Sequence, residues 1–117
     1  MFYPKLFSIL GFFGVALGAF GAHGLKDKVT IEMLEIWKTA TLYLMIHVII
    51  GILSSFFTNK KRSQFCFAFG AFVFSSSLYL LVILNMPILG SITPIGGVSL
   101  LLGWTFLFLD IKKKSNV

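Results

Sequence analysis

The stretch "LFSILGFFGVALGAFGA", Leu6 to Ala22, contains no charged residue and carries Gly11, Gly14, Gly18 and Gly21 at spacings of three and four. As a helix it reaches about 25 Å, a little short of a hydrocarbon core of about 30 Å. Residues three and four apart share a helix face, so the four glycines form one stripe, with Gly14 and Gly18 as a GxxxG pair. Phe12, Phe13 and Phe20 mostly lie off that stripe. Lipid tails are as apolar as leucine, so helices pair inside a bilayer through close van der Waals contact, which small residues permit. The stretch therefore reads as a membrane-spanning helix with a packing face. The competing reading is a cleaved leader, because Lys5 precedes an apolar run with small residues at its end. That reading would leave three spans.

Three further runs of the same kind follow. "TATLYLMIHVIIGILSSFF" covers residues 39–57 and ends at "NKKR". "FCFAFGAFVFSSSLYLLVIL" covers 65–84 and ends at "NMP", where proline opposes continuation. From Ile88 to Leu109 nothing is charged, but "GSITPIGG" interrupts. Thr93 followed by Pro94 reads as an N-cap and first helical residue, so the fourth span is expected over 94–109, with Gly90 to Thr93 as a loop or a re-entrant segment. Between the first two runs, "DKVTIEMLEIWK" has Thr30 as a cap and Glu32 in the first turn. It reads as a short amphipathic interfacial helix with Trp37 at headgroup level, running on into the second span.

The composition agrees with a bilayer as solvent. The chain of 117 residues is 57% hydrophobic and 12% charged, about half the charge of an ordinary soluble domain. The net charge of +6 does not indicate nucleic acid, because the cations sit at the edges of apolar runs. Four spans put Lys5, Lys60, Lys61, Arg62, Lys112, Lys113 and Lys114 on one side, and only Lys26, Lys28 and Lys38 on the other. The positive-inside rule then makes both termini cytoplasmic. Each span has small residues: besides the first stripe there are Gly51 with Ser54 and Ser55, Gly70 with Ser75 to Ser77, and Gly96, Ser99 and Gly103. The expected fold is all-α, a compact four-helix transmembrane bundle forming one domain. A spare small face would serve a homo-oligomer.

Polar side chains inside a span are candidates for function. Tyr43 and His47 share a face of the second span, and Ser76 and Tyr79 share a face of the third. His47 lies about 12 Å from one boundary and Ser76 about 16 Å from the other, so the two meet in depth and one polar cluster is geometrically open to them. Interhelical glue and a ligand or proton-handling site are both compatible with it. A haem held by His23 and His47 fails on depth, because His23 sits where the first helix ends. A zinc site fails because the lone Cys66 lies toward the opposite end. Asp110 is placed beside the lysine cluster and is expected to pair with it. No catalytic motif occurs, so neither an enzyme nor a cofactor or metal is expected.

"ALGAFGAHGLK" (16–26), Tyr43 with His47, "FSSSLY" (74–79), "TPIGG" (93–97) and "GW" (103–104) together resemble the family of small membrane proteins called domain of unknown function 423, over residues 8–104. The resemblance implies a four-span protein of the plasma or inner membrane and no particular reaction. It marks His23, His47, Tyr79, Thr93 and Pro94 as signature positions, with Gly96 in the same motif. The expected partners are membrane lipids, a second copy or another membrane protein. A small transporter or channel component is the alternative.

Overall fold

The computed structural model describes residues 1–112. Lys113 and Lys114, counted in the charge argument, lie outside the described residues. The elements are α1 (Phe2–His23), α2 (Ile31–Phe57), α3 (Arg62–Leu84), a 3₁₀ turn (Pro87–Ser91) and α4 (Thr93–Asp110). All four helical segments are long and apolar enough to cross a membrane, with mean hydropathies of 1.7, 2.0, 2.2 and 1.8. A helix suits that solvent because it satisfies its own backbone groups.

Local chemistry sets the ends. Pro4 falls in the first turn of α1, where a missing N–H costs nothing. The Thr30 hydroxyl accepts from the Met33 amide at 3.1 Å and starts α2. α2 then runs unbroken to Phe57, so the amphipathic segment is its first turns and not a separate helix in the interface plane. Trp37 departs from the headgroup position expected of it. It is only 2% exposed, and its indole N–H donates to the Leu17 carbonyl at 2.7 Å. The reason is on α1: a Cβ at Gly21 would collide with the indole ring, so the missing side chain makes the slot that holds Trp37.

Gly24 caps α1 in the right-handed region, and the left-handed turn falls on Asp27 instead (φ 64°). Asn85 takes the same conformation (φ 52°) and ends α3, with the Met86 amide reaching back to the Leu81 carbonyl at 3.1 Å. Thr93 is not a cap. Ile92 holds that position, the 3₁₀ turn leads almost directly into α4, and the Thr93 hydroxyl pairs with Ser77 on α3 at 2.7 Å. The stretch from Gly90 to Thr93 is thus helical or nearly so.

The helices form an open row in which α3 is central. α3 packs on both α2 and α4, while α1 packs mainly on α2; α1 and α4 do not touch. Of the apolar window of α3, 56% is buried, against 17% in α1 and 22% in the Pro87–Asp110 segment that joins the 3₁₀ turn to α4. The bundle is therefore not closed into a square, and its two flanking helices keep broad apolar faces turned outward.

Candidate functional site

α2 places Tyr43 and His47 one turn apart. The His47 Nδ1 lies 2.7 Å from the Tyr43 carbonyl, which can only accept, so Nδ1 carries the proton. The Nε2 lone pair then accepts from the Trp104 indole N–H at 3.0 Å. The two rings meet edge to face with centroids 5.9 Å apart, and Phe67 packs against both at 5.8 and 5.4 Å. Among the described residues this is the one side-chain hydrogen bond from α2 to α4, two helices that otherwise barely touch. Above it, Tyr43 stacks on Phe74 at 4.7 Å. Beside it lies a lateral groove of about 490 Å³ lined by Tyr43, His47, Pro94, Gly97, Val98, Leu100, Leu101 and Trp104.

The expected cluster of Tyr43, His47, Ser76 and Tyr79 does not form; the four are split between two places. Tyr79 bonds through its hydroxyl to Thr41 at 2.6 Å and packs on Trp37 at 4.4 Å. Ser76 leans back toward the Val73 carbonyl at 3.4 Å and, with Tyr79, lines a cavity of about 190 Å³ that reaches Leu10 and Phe13 on α1. The cause is azimuth. Thr41 and Tyr43 are two residues apart, about 200° around a helix, so α2 turns the first toward Tyr79 and the second toward α4. Equal depth did not mean a shared face.

The other singled-out positions are structural neighbours rather than one pocket. His23 is exposed at the last residue of α1. Pro94 lies at the head of the lateral groove, while Thr93 holds Ser77. Gly11, Gly14, Gly18 and Gly21 all face α2, against Val48, Leu44 with Met45, Thr41 and Trp37 in turn. Gly103 makes room for the Phe67 ring. Gly96 is the tightest case: a Cβ there would lie 2.5 Å from the Phe74 amide nitrogen and 2.9 Å from the Gly70 carbonyl oxygen, so α3 and α4 meet backbone to backbone.

Several groups escaped the sequence reading. Trp104 completes the His47 site; in the chain it is legible only as part of the "GW" pair, with nothing to mark it as the partner of His47. Thr41 is one of many small hydroxyl residues. Among the described residues the buried Asp110 carboxylate is gripped by Arg62, with Nε donating to Oδ2 at 2.7 Å, and by Lys60 at 3.7 Å; Lys113 and Lys114, two of the lysines expected to pair with it, lie outside the described residues. Arg62 also lies over the Phe106 ring at 4.5 Å. Next to it, Ser63 and Gln64 are fully buried, and their side-chain polar atoms have no partner among the described residues. A glutamine in the first turn of an apolar helix was the signal available for that site.

Residues 17–97 match a family described as a protein of unknown function, DUF423. The chain belongs to the DUF423 family. A UPF0382 membrane protein of Staphylococcus aureus (strain bovine RF122) is 42% identical over 114 residues, covering 90% of this chain and 93% of that one. The UPF0382 membrane protein YwdK of Bacillus subtilis is 36% identical over 121 residues, covering 93% and 98%. No solved structure matches the chain. This DUF423 protein is a membrane protein of unknown activity with four apolar spanning helices.

Proposed function

We propose that this DUF423 protein is a non-enzymatic structural or accessory protein of the plasma (inner) membrane, with both termini cytoplasmic, that binds lipid or a membrane partner through its lateral surface. The observation that carries this reading is the double engagement of His47. A histidine that handles protons or binds a metal needs a free nitrogen lone pair. Here the Tyr43 carbonyl takes the Nδ1 proton and the Trp104 indole takes the Nε2 lone pair. The arrangement ties two helices together. Tyr79, Ser77 and Ser99 are likewise spent on protein partners. The outward faces of α1 and α4, by contrast, are apolar and uncovered. Orientation rests on Lys60, Lys61, Arg62 and Lys112 standing at the end of the molecule opposite the α1–α2 connection.

The test is flux and retention in one preparation. Protein in sealed vesicles is expected to leak protons and small ions equally as wild type and as His47→Ala, and mild extraction is expected to keep lipid or a partner bound. A flux that vanishes in His47→Ala would overturn the proposal in favour of a transporter or channel component, the reading that the Tyr43 and His47 lining of one groove favours.

A further inference from the structure

We infer that the groove between α1 and α3, at the cationic end of the molecule, binds one anionic phospholipid, with its phosphate on Lys61 and an acyl chain along the groove below. The site deepens the lateral-surface reading above and rests on it.

Charge decides the occupant. Lys60, Lys61 and Arg62 stand in a row where α3 begins. The positive end of a helix disfavours a cation, and the first turn of α3 holds no acidic residue. Arg62 and Lys60 are answered by Asp110. Lys61 is exposed and pairs with no carboxylate among the described residues. A second copy of the chain has none to offer it. Of the four acidic residues, Asp27, Glu32 and Glu35 lie at the opposite end, and Asp110 is buried in its own ion pair. No side chain of this protein therefore supplies the counter-charge. The phosphates of anionic lipids lie at the membrane surface, where such cations stand.

Position ties that charge to an apolar groove. Lys61 precedes Phe65 by one turn, so the two share a face of α3. Phe65, Phe69 and Phe72 continue that face and meet Phe2, Leu6 and Leu10 of α1 across the groove. From Phe65 to Phe72 the groove runs about 10 Å inward, less than half of a hydrocarbon core of about 30 Å and so within one leaflet. The Phe65 and Phe69 rings stack at 6.0 Å and stay half exposed. A free phosphate would satisfy the lysine and leave the rings uncovered. An uncharged lipid would cover the rings and leave the lysine unanswered. An anionic phospholipid meets both.

The purified protein in mild detergent is offered phosphatidylglycerol and phosphatidylcholine with identical acyl chains in equal amounts, and native mass spectrometry counts the lipid carried by the intact protein. The first lipid bound is expected to be phosphatidylglycerol by about fivefold, the effect of about one lysine near a membrane surface. Lys61→Gln is expected to bring the two lipids level. Lys28→Gln, at the opposite end, is expected to leave the preference in place. Both lysines are exposed, so neither variant disturbs the core. Glycerol phosphate, a headgroup without a chain, is expected not to displace the bound lipid. Equal uptake by wild type overturns the proposal, as does a preference that survives Lys61→Gln or is lost equally in Lys28→Gln, or displacement by glycerol phosphate. None of these outcomes touches proton or ion leak, so the accessory reading stands or falls separately on the flux of wild type against His47→Ala.

Discussion

At the residue scale, His47 and Gln64 are opposite cases of polar burial in an apolar medium. His47 has both nitrogens satisfied. Trp104→Phe keeps the ring and removes the donor, leaving Nε2 unpaired, and a buried unpaired group costs about 1–3 kcal/mol. The variant is expected to lose stability by that order in thermal unfolding in detergent; an unchanged midpoint would mean that the bond contributes nothing. Gln64 is fully buried with both amide atoms unpartnered among the described residues. Gln64→Leu removes that penalty with similar volume, so it is expected to stabilise by about 1 kcal/mol or more. A lower midpoint would contradict this. Asp110 belongs to the same scale: Asp110→Asn weakens the grip on Arg62 and Lys60, and should loosen the α3–α4 end where that pair sits.

At the element scale, the helix ends follow from short-range signals. Thr30 at the start of α2 and Asn85 at the end of α3 act through their own neighbours, and α3 ends at Leu84, the last residue before the "NMP" stop. Contacts between helices depend on which small residue faces which neighbour. Gly96 and Gly97 are adjacent and differ completely. Gly96→Ala drives a methyl group into the backbone of α3, and overpacking of this kind costs about 1–3 kcal/mol. Gly97→Ala meets nothing, and is expected to be neutral or to gain up to about 1 kcal/mol from helix propensity. Parallel unfolding of the two variants checks the pair; equal losses would mean that the α3–α4 crossing is not as close as described.

At the scale of the whole molecule, the open row leaves α1 and α4 on its two flanks. Closure into a square would have hidden those faces; left open, they are the lateral surface through which lipid or a membrane partner is proposed to bind. The orientation in the membrane has a direct check. Cys66 is buried, so a membrane-impermeant thiol reagent has little background. Lys28→Cys and Gly90→Cys are both expected to label from outside intact cells, because both lie at the end opposite the cationic loop. Failure at both positions would reverse the topology.

Much of the architecture was legible in the chain itself. Four apolar segments, their approximate ends and the glycine stripe of α1 follow from hydropathy, capping and helical spacing, because a spanning helix satisfies its backbone within its own segment. Depth along each helix was legible too, since it needs only the rise per residue. Azimuth was not. Which face of α2 meets α3 and which meets α4 depends on every neighbour at once, and that decided that His47 bonds to Trp104, that Tyr79 turns to Thr41, that Trp37 leaves the surface for the slot at Gly21, and that Asp110 reaches across to Arg62 on α3. Local energetics settle where the chain is helical; only packing in three dimensions settles which polar groups meet.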